Sequence, residues 1–239
     1  GSRTARPRLP SMNDWHPLAT PSTGDLPPST DEQILAAARV TVQREAAAVA
    51  GLVDQLDHSF VSIVRTMLAL RGKVITTGTG TSGIMAERFA HLLAVSGTPA
   101  FYLPCLDALH GGMGSITKGD HVIAISKGGK SAELIELVTR LTARDIPVIA
   151  LTEDATSPFA LVATTIAHVQ TWPKDADPGG LIAMGSTLVS GAWGDALAST
   201  LMRLRDHRWS DVLDIHPGGY VGSQTELPEE ITIENASDE

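Results

Sequence analysis

The fold of this chain is decided by the stretch Lys73-Val-Ile-Thr-Thr-Gly-Thr-Gly-Thr-Ser-Gly83. Its residues 74–77 are all β-branched, which is typical of a buried parallel strand. Gly78 and Gly80 then allow the backbone to turn sharply, and Thr81 or Ser82 can cap the helix that follows. A strand, a glycine-rich turn and a helix N-terminus in this order form a natural binding site for an anion.

The same plan recurs later in the chain as His121-Val-Ile-Ala-Ile-Ser-Lys-Gly-Gly-Lys-Ser131, again ahead of a helical pattern. Because the carboxyl ends of parallel strands meet at one edge of a sheet, we expect the two glycine-rich loops to lie close together. The crevice between them is therefore the predicted functional site, and a phosphate group is the predicted ligand.

Strand and helix patterns alternate along the rest of the chain. Apolar runs predict strands over 99–103, 122–125, 147–152 and 164–169, and helical periodicity predicts helices over 131–144 and 182–205. The Ala-rich stretch up to about residue 50 and the segment 52–70 predict two long helices, or one helix with a break at Gly51. The sequence thus predicts an α/β fold: a doubly wound, five-stranded parallel sheet of the flavodoxin-like type with long N-terminal helices.

Composition restricts the class of partner. Of the 239 residues, 43% are hydrophobic and 4% are aromatic, and the formal net charge is -9. Few aromatic side chains and a negative charge argue against a nucleic-acid partner. No apolar run reaches the roughly 18 residues that span a bilayer, and the amino end lacks the apolar core of a secretion signal. Because Cys105 is the only cysteine, a disulfide framework is excluded, and we predict a cytoplasmic protein.

Three segments are predicted along the chain. Residues 1–30 are rich in Pro, Ser, Thr and Arg without periodicity and predict a flexible leader, in which Trp15 can dock on a neighbour. Residues 31–220 form the predicted domain, whose first helix begins near Thr30, where a hydroxyl precedes two acids. Residues 221–239 carry six acids and no Lys or Arg, and we expect an acidic tail.

Three motifs in order carry a resemblance to a known family: Gly78-Thr-Gly-Thr-Ser-Gly83, Ser126-Lys-Gly-Gly-Lys-Ser131 and His216-Pro-Gly-Gly219, with His110-Gly111 between the first two. Over residues 35–220 the chain resembles the sugar isomerase (SIS) domain family, and within it the arabinose-5-phosphate isomerases. The resemblance implies a five-stranded parallel sheet, a sugar-phosphate ligand, and a homodimer or homotetramer with sites at subunit boundaries. His110 and His216 can share a metal, but no residues have the spacing of an HExxH or CxxC site, so we predict no required metal, and we expect no cofactor.

The chain departs from the family pattern inside both loops. The first loop of the isomerases usually reads Gly-x-Gly-Lys-Ser-Gly, whereas this chain has Thr81 at the Lys position. The second loop usually reads Ser-Asn-Ser-Gly-Glu-Ser/Thr, whereas this chain has Gly128 for the middle Ser and Lys130 for the Glu. A further Glu of the family, which precedes a Cys-Pro segment, is matched by Asp175. The substrate can therefore differ from arabinose 5-phosphate.

The candidate ligands of the phosphate are hydroxyls, loop glycines and one lysine. Each serine hydroxyl can bind phosphate beside helix-end N–H groups, or it can cap a helix without any ligand. Lys127 and Lys130 can neutralise phosphate or lie in solvent. The predicted phosphate site comprises Gly80, Thr81, Ser82, Ser126, Gly128, Lys130 and Ser131.

Candidate catalytic residues are His216, His110 and Asp175. The resemblance implicates His216 in catalysis and allows it to come from an adjacent subunit. Histidine suits the reaction, because aldose–ketose interconversion moves a proton between C1 and C2 through an enediol. His110 can assist ring opening or contact sugar hydroxyls, and Asp175 or Glu87 can serve as a second acid or base. Each of them can instead be an ordinary loop or surface residue.

Two functions of different classes follow from these residues. The first is a phosphosugar aldose–ketose isomerase that works through an enediol. The second is a non-catalytic sugar-phosphate sensor, because the altered loop charges can mark lost catalysis. The presence of His110 and His216 favours the enzyme.

Overall fold

The computed structural model describes residues 29–236, and by its contacts the chain forms two units, residues 1–39 and 40–239. The predictions for residues 1–28, including the docking of Trp15, and for the last three residues of the tail lie outside the described residues. In the first unit, Thr30 and Gln33 form a capping box: the Thr30 N–H donates to Gln33 Oε1 at 2.8 Å and the Gln33 N–H donates to Thr30 Oγ1 at 3.2 Å. The predicted helix start near Thr30 is therefore confirmed.

Nine helices and five strands lie within residues 29–236. The helices are α1 (Asp31–Ala50), α2 (His58–Leu68), α3 (Thr81–Val95), α4 (Cys105–Leu109), α5 (Ala132–Thr142), α6 (Pro158–Val162), α7 (Gly185–Leu204), α8 (Trp209–Ile215) and α9 (Gly219–Gly222). The strands are β1 (Val74–Gly78), β2 (Ala100–Tyr102), β3 (His121–Ile125), β4 (Val148–Thr152) and β5 (Thr165–His168). None of these helices is long and apolar enough to cross a membrane.

The strands form one parallel sheet in the order β2-β1-β3-β4-β5, which confirms the predicted fold class. The chain moves outward from β1 to β2 and then returns to place β3 on the other side of β1. The neighbours β1 and β3 end together, because Gly78 pairs with Ile125. The point where the direction of winding reverses therefore lies between the two glycine-rich loops.

Two apolar cores cover the two faces of the sheet. In β3, Ile123 and Ile125 belong to the core beneath α2, α3 and α7, whereas Val122 and Ala124 belong to the core beneath α4, α5 and α6. This alternation follows from the two-residue period of a strand, and burial on both faces explains why β3 and β4 are apolar over most of their length. The sheet is thus a rigid support for the loops at its carboxyl edge.

The segment 52–70 differs from the single helix that was predicted. A 3₁₀ turn covers Val53–Gln55, and α2 begins only at His58, where Asp57 Oδ1 accepts the Ser59 N–H at 2.8 Å. Because Asp57 offers a strong cap, the helix starts after it, and Leu56 stays outside the helix.

The acidic segment near the end of the chain contacts the last helices. The Trp209 indole Nε1–H donates to the carbonyl of Glu229 at 2.9 Å, and the Trp209 N–H donates to Glu230 Oε2 at 3.2 Å. Arg203 Nη1 donates to the carbonyl of Thr232 at 2.9 Å. Residues 229–232 therefore pack on α7 and α8, so this part of the expected acidic tail is bound to the domain.

A buried carboxylate holds the amino edge of the sheet. Asp120 is 1% exposed and accepts hydrogen bonds from the N–H groups of Lys73 and Thr117 at 2.9 and 2.8 Å. Lys73 Nζ lies 3.2 Å from Asp120 Oδ2. Burial by itself would raise the pKa of Asp120, but the hydrogen bonds from Thr117 and Lys73 outweigh it and lower the pKa below its usual value. The pairing therefore stabilises the fold above about pH 4 and is lost as the pH falls through the lowered pKa.

We expect Asp120→Asn to lower the free energy of unfolding by about 2 to 4 kcal/mol at pH 7, because it removes a buried charge and leaves Lys73 without its partner. Urea denaturation measures the change. The difference from the parent protein should shrink as the pH falls through the lowered pKa of Asp120, because the parent carboxylate itself then becomes protonated. Glu136→Gln, which breaks the exposed pair with Arg140, is the control and should change stability by less than about 0.5 kcal/mol. Equal losses for the two variants would contradict this account.

Candidate functional site

Two loops meet at the carboxyl edge of the sheet. The first loop (residues 78–83) leaves β1 and enters α3, and the second loop (residues 126–131) leaves β3 and enters α5. The hydroxyls of Thr79 and Ser131 lie 3.2 Å apart and share a hydrogen bond, which ties one loop to the other. The first N–H groups of a helix have no partner within that helix, so two helix N-termini bring free donors to this crevice.

The serine hydroxyls in the crevice do not cap the helices. The residue that caps α3 is Gly80, with a φ of 57°, and it has no side chain to offer. Ser131 occupies the cap position of α5 but makes no side-chain cap hydrogen bond; its hydroxyl meets that of Thr79 instead. The Ser82 hydroxyl has no hydrogen-bond partner among residues 29–236. The expectation that Thr81 or Ser82 caps α3 is therefore wrong, because the glycine turn places Thr81 inside the helix.

The second loop is held in shape from within. Ser126 is buried, and its Oγ accepts the Gly129 N–H at 3.1 Å. Gly129 has a φ of 61°, and a Cβ at this position would lie 2.0 Å from Ser157 Oγ. Ser157 caps α6 by accepting the Ala160 N–H at 3.2 Å, so its side chain has little freedom to move away. Ser126 is thus engaged in shaping the loop.

The crevice is open on its outer side. A Cβ built on Gly80 or on Gly128 would meet no atom within 4 Å. Lys130 is exposed and lies near Asp154, whose pKa is lowered chiefly by hydrogen bonds from Thr156 and to a smaller extent by the charge of Lys130. The loop backbone at Gly80 and Gly128 is therefore accessible from outside, and the exposed Lys130 lies in the same loop as Gly128.

The sequence left open whether Lys127 binds phosphate or lies in solvent, and the structure pairs it with a carboxylate of its own chain. Its Nζ lies 2.5 Å from Oδ2 of Asp177, a buried residue that was not among the predicted site residues. One signal was present in the sequence: Lys127 stands where the family pattern has Asn, and Asp177 stands where it has Cys. Two departures of opposite charge can indicate an ion pair.

Tyr102 also borders the crevice and was not predicted. It ends β2 beside β1, and a Cβ on Gly83 would lie 2.9 Å from its hydroxyl, so the ring reaches the first turn of α3. The pKa of Tyr102 is raised, chiefly by burial and then by the nearby carboxyl of Glu87. The phenol is therefore a neutral hydrogen-bond donor at neutral pH.

His216 lies away from the two loops of its own chain. It follows α8, and its Nδ1 lies 3.2 Å from the carbonyl of Gly218. The preceding Ile215 lines a groove of about 430 Å³ with Lys73 and Pro99, which precede β1 and β2. This groove is at the amino edge of the sheet, and the five residues of β1 separate the two edges by about 16 Å.

The other two predicted catalytic residues are exposed. His110 follows α4, which itself follows the carboxyl end of β2. Asp175 pairs with Arg44 of α1, with 3.1 Å between Asp175 Oδ2 and Arg44 Nε. Its neighbour Lys174 binds Glu153 Oε2 at 3.1 Å, just beyond the carboxyl end of β4. The structure therefore brings Asp175 to the same edge of the sheet as the loops and leaves His216 at the other, while His110 lies at the end of α4.

Acidic, histidine and cysteine side chains are scattered in the described part of the chain. No group of three or more of them there is placed to hold a metal ion. Cys105 is buried, and burial, with a smaller effect from Glu133, raises the pKa of its thiol to about 11. The thiol of Cys105 is therefore protonated at neutral pH.

The family model of the SIS domain matches residues 67–200, which is more than half of the chain. The chain belongs to the SIS domain family. The match contains both loops, β1 to β5 and most of α7, so the family resemblance seen in the loop motifs is confirmed over the whole sheet.

Named relatives of this SIS domain include two bacterial enzymes. It is 34% identical over 193 residues to arabinose 5-phosphate isomerase GutQ of Escherichia coli K12, which covers 81% of this chain and 60% of the relative. It is 35% identical over 185 residues to arabinose 5-phosphate isomerase KdsD of Pseudomonas aeruginosa, covering 77% and 56%. The chain thus spans about 60% or less of the length of these relatives.

A solved structure supports the same relationship. A protein of E. coli CFT073 in complex with A5P superimposes on this SIS domain with a TM-score of 0.76 and 28% identity. The alignment covers 79% of this chain and all of the solved one.

We expect Gly129→Ala to lower the free energy of unfolding of the SIS domain by about 2 to 4 kcal/mol, because the new Cβ requires a strained φ and displaces the Ser157 side chain. Gly128→Ala is the matched control at the neighbouring position; it meets open space and should cost less than about 1 kcal/mol. Urea denaturation of both variants measures the difference. Similar losses at the two positions would show that the conformation of Gly129 is not what holds the loop.

Proposed function

We propose that this protein is an aldose–ketose isomerase of a phosphosugar and that it holds the phosphate between the first and second loops. The observation that carries the proposal is the pair of hydroxyls on Ser82 and Ser131. Both lie at helix N-termini, and neither caps its helix, so both can donate to an anion. Two helix dipoles directed at the same crevice also favour a doubly charged phosphate.

The relatives support the class of reaction. GutQ and KdsD are named arabinose 5-phosphate isomerases, and the similar E. coli CFT073 structure contains A5P. We therefore take arabinose 5-phosphate as the first compound to test. Thr81 and Lys130 redistribute charge at the loops, so another pentose or hexose phosphate is an equally suitable substrate for this chain.

In the proposed reaction, a base removes the proton from C2 of the open-chain aldose, the electrons of the C–H bond form the C1–C2 double bond, and the C1 carbonyl oxygen takes up a proton to give the enediol. Return of a proton to C1 and loss of the proton from the C2 hydroxyl complete the ketose. We assign the base to His216, with His110 or Asp175 as the group that exchanges a proton with the sugar oxygens. Binding of the phosphate would contribute by fixing the position of C1 and C2 relative to the base.

The assignment of His216 requires a second copy of the chain. In one chain, His216 is at the amino edge of the sheet and the loops are at the carboxyl edge. We propose that His216 reaches the loops of a neighbouring subunit, in a homodimer or homotetramer with the site at the boundary. An oligomer of this kind also accords with the arrangement that the family resemblance implies.

A non-catalytic phosphosugar sensor is the second candidate. It is favoured by one observation: Thr81 and Lys130 replace the Lys and Glu of the isomerase pattern, so the charges usual in this site are changed. The two candidates share phosphate binding and differ in turnover.

We expect His216→Asn to reduce turnover of the phosphosugar substrate by about 10² to 10⁴-fold, because it removes the base while leaving the loops unchanged. A panel of pentose and hexose phosphates, with the free sugars as controls, identifies the substrate by thermal shift and by NMR detection of the ketose. His216→Asn should keep the thermal shift of the parent protein. Binding without turnover by the parent protein would favour the sensor, and no binding of any phosphosugar would exclude both candidates.

Mixed oligomers test the boundary site. Co-expression of His216→Asn with the double variant Ser82→Ala/Ser131→Ala combines two kinds of inactive subunit. If the subunits pair at random, half of the dimers are mixed, and each mixed dimer holds one complete site out of two. The mixture should therefore recover about a quarter of the parent activity. No recovery from purified mixed dimers would contradict a base supplied by the neighbouring subunit.

A further inference from the structure

The second loop contains an ion pair whose carboxylate is buried. Lys127 Nζ and Asp177 Oδ2 lie 2.5 Å apart, and the side chains are 39% and 2% exposed. Burial alone would raise the pKa of Asp177, but hydrogen bonds from Lys127 and Ser186 lower it, so the residue is a carboxylate at neutral pH. The charge of Lys127 is therefore already compensated inside the protein.

Asp177 also holds the start of α7. Its Oδ1 accepts the N–H groups of Met184 and Ser186, both at 2.9 Å, so this single side chain closes the segment 177–186 onto the first turn of the helix. Asp177 lies two residues after Asp175 in the same segment. The position of the carboxylate is thus fixed by α7, a helix that packs against α3 and contributes to the apolar core.

The backbone of Lys127 is fixed from the opposite side. Its carbonyl accepts the Glu153 N–H and the Thr152 hydroxyl, each at 3.0 Å, at the end of β4. The residue next to it, Ser126, accepts the Gly129 N–H within the loop. The side chain of Lys127 therefore forms a bridge from the second loop, across the end of β4, to the segment before α7.

From these contacts we infer that Lys127 and Asp177 are positioning residues, which hold the second loop in the conformation that binds phosphate and couple it to the segment that carries Asp175. Lys127 does not bind the phosphate itself. The identity of the ligand in this inference rests on the proposed function. The structural part, that the ion pair holds the second loop in place, is independent of the proposed function.

The chain contains a matched pair at the other edge of the sheet. Lys73 and Asp120 form an ion pair with side-chain exposures of 39% and 1%, nearly the same as for Lys127 and Asp177. Both carboxylates also accept two backbone N–H groups. Loss of either pair should lower the melting temperature by a similar amount. If ligand binding weakens only when Lys127 or Asp177 is changed, the cause is therefore the position of the second loop and not the lower stability of the whole protein.

The experiment compares Lys127→Met and Asp177→Asn with Lys73→Met and Asp120→Asn in the full chain. Calorimetry measures the dissociation constant for arabinose 5-phosphate, or for the phosphosugar of the panel that binds best, at a temperature where all variants are folded. We expect the dissociation constant to rise at least about tenfold in both Lys127→Met and Asp177→Asn, and to change less than about twofold in the two controls. Lys127→Arg, which can still reach Asp177, should stay within about threefold of the parent protein.

The two members of the pair distinguish positioning from direct binding. If Lys127 were a phosphate ligand, Asp177→Asn would release its ammonium group and leave binding unchanged or make it tighter. Tighter or unchanged binding by Asp177→Asn therefore overturns the inference, as does an equal loss of binding in the Lys73 and Asp120 controls.

Hydrogen exchange without ligand tests the bracing by itself. In Lys127→Met, peptides covering residues 126–131 and 177–186 should exchange faster, whereas Lys73→Met should accelerate exchange around residues 117–121. Unchanged exchange in the second loop of Lys127→Met overturns the inference. If the parent protein binds no phosphosugar, the proposed function fails, and this exchange comparison still decides whether the pair holds the loop.

Discussion

The pairing of β1 with β3 is the constraint on which the rest of the site depends. Because Gly78 and Ile125 are opposite each other at the ends of these strands, both loops leave the sheet at the same point. The hydrogen bond between Thr79 and Ser131 then joins them. Each loop by itself is an ordinary turn between a strand and a helix. Side by side, they direct into one crevice two helix N-termini and the hydroxyls of Ser82 and Ser131, neither of which caps its helix.

Charge in this crevice is arranged locally. The chain has a formal net charge of -9, yet the loops present backbone N–H groups, and Lys130 lies exposed beside them. Lys127 adds no free charge, because Asp177 compensates it. A phosphate bound here would therefore depend on directed hydrogen bonds more than on a field of cations, which accords with an acidic protein that binds a small anion.

The sheet could be predicted from the sequence because its central strands, β1, β3 and β4, are buried on both faces and leave continuous β-branched or apolar runs. The loop positions followed from glycines that only a turn explains. The capping of α3 could not be predicted in the same way: Thr81 and Ser82 are good caps in isolation, but the left-handed conformation of Gly80 ends the turn one residue earlier. The capping preference of Thr81 and Ser82 is therefore overridden by the backbone conformation of the turn that follows β1.

Contacts between distant segments were beyond the reach of sequence patterns. Lys127 and Asp177 are separated by two strands and two helices, and only the folded sheet brings them together. Tyr102 lies within the strand predicted over residues 99–103, but its contact with Gly83 depends on the pairing of β2 with β1. The distance of His216 from the loops is also a property of the fold, since a motif gives no information on which edge of the sheet it will occupy.

The most direct measurement of the central claim is a crystal structure of the protein with arabinose 5-phosphate, or with the phosphosugar that binds best. The account predicts the phosphate between the first and second loops, within hydrogen-bond distance of the Ser82 and Ser131 hydroxyls and of N–H groups in the first turn of α3. It also predicts that the imidazole nearest to C2 is His216 of a neighbouring subunit. A phosphate bound at the amino edge of the sheet, or one that contacts neither serine, would contradict the account.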